Sequence, residues 1–213
     1  MYFVKTPWLL KRIYPHYTWD QPASKKKIFL TFDDGPHPVA TPFVLEQLRL
    51  WGAKATFFCV GKNVVAERLL YERLQKEGHS IGNHTHNHLN GWKTDTNTYL
   101  ENVQLAATYI NSGLFRPPYG RIRREQGRLL IQGALGTRFR IIMWDVLSGD
   151  FDSSLQPEKC LKHVLQHTRS GSVVVFHDSE KAFKNMSFAL PGVLKYFSER
   201  GFTFEVLQDG LQK

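Results

Sequence analysis

Two adjacent carboxylates, Asp33 and Asp34, end the apolar run Ile28-Phe29-Leu30-Thr31-Phe32, which Gly35-Pro36 then stops. Side by side and poorly solvated, they repel each other and call for a cation, a proton or an arginine. His84-Thr85-His86-Asn87-His88 places three histidines within five residues. Read as a helical turn, this stretch sets His84 and His88 on one face, with His86 pointing off it as a surface or supporting residue. Two imidazoles and Asp34 then make three ligands with one position open, the pattern of a catalytic zinc site. A histidine and carboxylate set without thiolate also admits cobalt, nickel, manganese or iron.

The second carboxylate has its own candidates. Arg116 precedes Pro117-Pro118 and Tyr119-Gly120. The prolines stiffen that loop, so the guanidinium is held in one direction and suits Asp33 bidentately, keeping it as a base. His177 follows the apolar run Val173–Phe176, and Asp150, in Ser148-Gly149-Asp150-Phe151, is placed to hydrogen-bond it. That contact would raise the pKa of the imidazole and keep it a proton donor near neutral pH. A metal with an open position, a base and an acid describe metal-assisted hydrolysis of a carbonyl compound.

The elements that must position these groups alternate. Ile28–Phe32 reads as a buried strand, and Thr41-Pro42 as the N-cap and first position of a helix reaching Trp51. Strand 55–60, helix 63–77 (Val64, Leu69, Leu70 and Leu74 on its apolar side) and a short strand into Ile81-Gly82-Asn83 follow. Helix 98–111, strand Leu114-Phe115, helix 124–135, strand 139–146, helix 157–167, strand 173–176, helix 191–200 and strand 202–206 complete the series. Such alternation argues for parallel strands with helices outside. Eight full units take roughly 250 residues, so 213 residues fit an α/β fold of about seven units, a distorted and shortened (β/α) barrel, with a doubly wound sheet as runner-up. Residues 1–26 read as an irregular N-terminal lead-in and 27–213 as one domain. Every unusual polar residue falls after a strand, where chemistry sits in both architectures.

The net charge of +9 suggests attraction to polyanions. The clusters Lys25–Lys27 and Arg121, Arg123, Arg124 come without a nucleic-acid-binding motif, so they read as solvated faces, or next as contacts for an acidic glycan or cell-wall polymer. Cys59 and Cys160 lie far apart in apolar or amphipathic segments and read as buried thiols, ahead of a disulfide or a thiolate site. Lys5, Lys11 and Arg12 interrupt Trp8-Leu9-Leu10, so no apolar stretch reaches signal-peptide or membrane-spanning length. The expectation is a cytoplasmic chain by default, with association to the cell envelope open and the oligomeric state unread.

In their order, Thr31-Phe32-Asp33-Asp34, His84-Thr85 through His88, Arg116-Pro117-Pro118-Tyr119-Gly120, Asp150-Phe151 and Val175-Phe176-His177 resemble the five motifs of the NodB-homology polysaccharide deacetylases, carbohydrate esterase family 4. The resemblance runs from about Lys27 to Val206. It implies the NodB-homology fold and removal of acetyl groups from N- or O-acetylated sugars, with an acetylated glycan such as a chitin-type oligomer or peptidoglycan as partner. Carried over, Asp33 is the base that deprotonates the metal-bound water, and Asp34, His84 and His88 hold a divalent metal, zinc first, then cobalt, nickel or manganese. The Tyr119 backbone N–H holds the oxyanion, His177 protonates the leaving amine, Arg116 orients Asp33 and Asp150 tunes His177. Phe151, Val175 and Pro118 fall to the pocket of the acetyl methyl group. Phe151 stands where the family usually has tryptophan and Val175 where it has leucine, which bears on the size of the acyl group rather than on catalysis. Two other readings stand beside this one: the same site acting on a small-molecule amide, formyl or O-acetyl group, and a carbohydrate-binding relative without turnover. Nucleic acid is not an expected partner.

Overall fold

The computed structural model describes residues 2–22 and 25–209. Strands β1 (Lys27–Asp33), β2 (Thr56–Cys59), β3 (Ser80–Asn83), β4 (Leu114–Phe115), β5 (Arg140–Ile141), β6 (Val146–Leu147), β7 (Val173–His177) and β8 (Thr203–Phe204) are joined by helices. These are α1 (Trp8–Ile13), α2 (Ala40–Leu50), α3 (Gly61–Ala66), α4 (Arg68–Lys76), α5 (Thr96–Ala107), α6 (Arg124–Gln132), α7 (Pro157–His167) and α8 (Phe183–Ser198). The strands lie in the order β5-β4-β3-β2-β1-β7-β6, with β8 added beside the start of β1, and all these pairs are parallel. The fold is the distorted, shortened (β/α) barrel that the alternation predicts.

Strand alternation sorts the side chains of β1. Ile28, Leu30 and Phe32 face outward into the main core with Val174 and Phe176 of β7 and the buried stripe of α8. Phe29, Thr31 and Asp33 face inward, and register pairs them with Val173, Val175 and His177. The interior is therefore layered. Phe29 and Val173 join an apolar plug with Phe58, Leu114 and Ile142; Thr31 and Val175 come next; Asp33 and His177 cap the strand ends.

Several elements differ from the sequence reading. The expected strand 139–146 is two short strands, β5 pairing with β4 and β6 with β7. Between them the carbonyls of Ile142 and Met143 accept from Arg116, so they are taken from the strand ladder. Helix 63–77 breaks at Glu67 (φ −117°, ψ 48°), which re-aims its second half. Tyr71 and Leu74 are then buried while Leu69 is 81% exposed. The last helix begins at Phe183 and runs through Pro191. An interior proline costs about 3 kcal/mol, whereas burying each of Leu190, Val193, Leu194 and Phe197 gains about 1.5–3 kcal/mol. Thr41 lies inside α2 and sends its hydroxyl to the buried Asp178 rather than capping the helix. Both cysteines are buried and free.

The lead-in is less irregular than read. It contains α1, and single bridges join Lys5 to Val146, Thr18 to Ile142 and Asp20 to Ser172. Lys5 and Lys11 both meet the buried Asp145, at 2.5 and 2.6 Å. Among the described residues no helix is long and apolar enough to cross a membrane.

Candidate active site

The two carboxylates part because the backbone turns between them. Asp33 is still in the strand and faces inward; Asp34 adopts φ 81° and leaves it. Gly35 must follow, since a Cβ there would lie 2.0 Å from the Asp178 carboxylate, which accepts the Gly35 N–H instead. Thr85, His88 and Tyr119 also have positive φ, at 61°, 57° and 62°. With Asp34 these are the only non-glycine residues of this kind among those described, and all four converge here. Such conformations cost about 1–3 kcal/mol each and persist where surrounding structure enforces them, as at functional sites.

One ligand atom from each of Asp34, His84 and His88 lies within 4.8 Å of the others. The helical turn expected for the histidines does not form. Two left-handed residues, Thr85 and His88, curl an irregular loop after β3 and bring the rings to a 5.1 Å centroid separation. The pairing is as expected but its backbone is not, because Asn83 and Asn102 side chains take the N–H groups of Thr85, His86 and Asn87. His86 stays outside the cluster, packed on Tyr109.

Asp34 and His84 present unprotonated atoms to the middle of this cluster. His84 Nδ1 lies 2.7 Å from the Arg116 carbonyl, which can only accept, so Nδ1 carries the proton and Nε2 offers its lone pair. Burial pushes the His84 pKa down to about 4, favouring that neutral ring. His88 Nδ1 meets the Tyr119 hydroxyl at 3.1 Å. Both Nε2 atoms face Asp34 Oδ1, at 3.7 and 3.1 Å. Burial alone would favour the neutral acid of Asp34, but contact with His88 and the charge of His177 hold it well below the usual carboxylate range. Its Oδ1 is buried without a hydrogen-bond partner among the described residues. A buried carboxylate oxygen left over beside the His84 lone pair and the His88 ring fits a divalent cation.

Asp33 is held differently. Arg116 is fully buried and donates from Nη1 to Asp33 Oδ1 and to Thr31 Oγ1, both at 2.7 Å. Its remaining bonds go to the carbonyls of Ile142 at 3.1 Å and Met143 at 2.9 Å, and the Phe58 ring lies 4.1 Å from its carbon centre. The expected bidentate pairing is thus a single bond. It leaves Asp33 Oδ2 without a hydrogen bond among the described residues. Removing one partner of such a buried pair strands the other charge, a cost of about 3–5 kcal/mol.

Across the β1–β7 register, Asp150 grips His177 twice. Its Oδ2 accepts the His177 backbone N–H and its Oδ1 pairs with Nδ1, both at 2.7 Å. Nδ1 donates to the carboxylate, so Nε2 is the nitrogen left for proton exchange. Burial works against the imidazolium, yet the charge and hydrogen bond of Asp150, with Asp34 and Asp33 beyond, raise the His177 pKa to about 10.

Pro118 and Val175 are buried, and Phe151 stands edge-on to His177 with ring centroids 5.2 Å apart. Among the described residues no acceptor meets the Tyr119 N–H. Sequence reasoning missed Thr31, whose i,i+2 relation to Asp33 places both on one face, and Phe58, which meets Arg116. It also missed Tyr2. The Tyr2 ring packs 5.2 Å from Phe151 and its hydroxyl reaches Asp152 at 3.1 Å, so the lead-in backs the wall beside His177. Nothing local in the sequence signals that contact.

The polysaccharide deacetylase family profile matches residues 20–138. A peptidoglycan-N-acetylglucosamine deacetylase of Bacillus cereus is 32% identical over 201 residues, covering 92% of this chain and 92% of its own. A chitooligosaccharide deacetylase of Azorhizobium caulinodans is 32% identical over 73% of this chain and 75% of its own. The crystal structure of the Bc1960 peptidoglycan N-acetylglucosamine deacetylase, in complex with 4-naphthalen-1-yl-N-oxidanyl-benzamide, aligns with a TM-score of 0.84 at 29% identity over 95% of each chain.

Proposed function

The chain belongs to the polysaccharide deacetylase family, and from that premise we propose that its site hydrolyses the N-acetyl group of N-acetylglucosamine units in a glycan. The observation that carries this reading is the division of labour between neighbours: Asp34 converges with two imidazoles while Asp33 is held by Arg116. Asp34, His84 and His88 hold a divalent cation, zinc first and cobalt, nickel or manganese next, by the chemistry of the donor set. When bound, that cation supplies Lewis-acid polarisation and eases the loss of a proton from water.

The chain's own groups do the rest. Asp33, anchored through Oδ1, takes the proton of the attacking water at Oδ2. The Tyr119 N–H faces the negative charge that develops on the acyl oxygen. His177 Nε2 gives a proton to the departing amine nitrogen, and Asp150 keeps that imidazole oriented and charged. Val175, Pro118 and Phe151 wall the space for the acyl methyl.

A substrate panel tests this reading. Acetate release should be faster from N-acetylglucosamine oligomers than from acetylated xylan or simple amides. Release from the small amides alone moves the activity to a small molecule, and tight glycan binding without acetate leaves a binding protein.

The acid's role has a pH signature. The amine leaves only while His177 is protonated, so the alkaline limb of the activity profile lies above the ordinary histidine value, toward about 10. A cation at Asp34 cancels part of the upward pull and keeps the limb below that value. Asp150→Asn removes the main charge stabilising the imidazolium, so the limb moves to lower pH, by roughly one or more units. A limb that stays in place rules out His177 as the titrating acid.

A further inference from the structure

Trp92 is a large aromatic residue that the folded chain keeps exposed, at 59%. It is also pinned. Its indole N–H donates to the Ile122 carbonyl at 3.1 Å, the Arg121 guanidinium lies 5.2 Å from its ring centroid, and Arg123 donates to its carbonyl. The turn below is built for close approach: Gly91 N–H donates to the Arg121 carbonyl, and a Cβ on Gly91 would fall 2.6 Å from that oxygen. Gln126 joins the two loops by donating to the Gly91 and Thr94 carbonyls while accepting from Arg123 N–H. The same two loops carry His88, shortly before Trp92, and Tyr119, shortly before Arg121, and those two residues meet at 3.1 Å in the candidate site, which sets the pinned ring beside it.

The rim carries a net positive charge, with Lys93, Arg121, Arg123 and Arg124 against Asp95 and Glu125. Among the described residues the Arg121 guanidinium makes neither an ion pair nor a hydrogen bond; Arg123 and Arg124 follow it in sequence, and Lys93 follows Trp92. The nearby carboxylates are engaged, Asp95 capping α5 through the Thr98 N–H and Glu125 accepting from Thr96. A rigid exposed indole offers a stacking face for the apolar side of a sugar ring, and an unpaired guanidinium suits a carboxylate.

We propose that Trp92 and Arg121 form a subsite for a carboxylate-bearing sugar unit next to the N-acetylglucosamine that is deacetylated. This rests on the deacetylase reading above and narrows its substrate to an acidic glycan. Two tetrasaccharides test it: neutral N-acetylchitotetraose, and one alternating N-acetylglucosamine with N-acetylmuramic acid. Arg121→Gln should raise KM about tenfold for the acidic one with kcat within about twofold, the size of one charge-assisted contact. It should move KM for the neutral one much less, and rising salt should shrink the wild-type preference for the acidic one. Trp92→Ala should raise KM for both. Acetate from neither tetrasaccharide with the wild-type chain overturns the deacetylase reading and the subsite with it. Acetate from both, with Arg121→Gln leaving the two KM values unchanged or raising them alike, overturns the subsite alone.

Discussion

Asp33→Asn lowers acetate release from an N-acetylglucosamine oligomer by about two to four orders of magnitude, the range lost with a general base. The substitution is nearly isosteric. An amide oxygen still accepts from Arg116 Nη1, so the buried guanidinium keeps a partner there as well as Thr31 and the two carbonyls. What disappears is the capacity to take a proton at the second oxygen. Because that proton moves in the transition state, kcat and kcat/KM should fall together while KM changes little. The substitution leaves the buried Arg116 charge without its counter-ion, so stability falls, by up to about 3–5 kcal/mol as for a broken buried pair, and a melting curve confirms that the variant is folded at the assay temperature. Metal content per chain should stay near that of the wild type, since Asp34 and not Asp33 faces the imidazoles. Activity within tenfold of wild type would show that another group takes the proton, and loss of metal would merge the two carboxylates into one ligand pair.

Stripping the divalent cation with a chelator stops acetate release and also lowers thermal stability, and added zinc or cobalt restores both. The second effect follows from the site itself. Without a cation, an ionised Asp34 keeps a buried oxygen without a hydrogen bond, and the neutral His84 cannot supply a charge to meet it. A ligand that binds only the folded state stabilises it by about 2.7 kcal/mol at a hundredfold excess over its Kd. The melting temperature should therefore rise with metal concentration. Chelator-insensitive turnover sinks the metal assignment. His86→Ala, outside the cluster, should keep its metal, whereas His84→Ala should not.

Much of this site could be read before any coordinates. Strand-end positions gather Asp33, Asp34, His84, Arg116, Asp150 and His177 at one mouth. Spacing failed at the histidines. Their pairing was legible but the helical turn assumed for it was not what forms, because asparagine side chains from β3 and α5 hold the loop in left-handed turns. It failed again at residues 139–146, where the guanidinium of a distant arginine takes the carbonyls of an apparent strand. The lead-in gave no local sign that Tyr2 would reach Phe151.

By itself the sequence determined the inventory and its order: which proton-transfer and metal-ligating groups exist, and that each follows a strand. Residue type and strand periodicity are local properties, set by side-chain chemistry and the two-residue repeat of the backbone. Only the tertiary structure decided which carboxylate meets which partner. Asp34 turns to the imidazoles through a left-handed backbone that its own preferences oppose. Asp33 meets an arginine 83 residues away whose burial is compensated by four hydrogen bonds that it donates to two other parts of the chain, β1 and residues 142–143. Such arrangements persist because packing from many directions over-determines them, and no short stretch of sequence contains all of those directions.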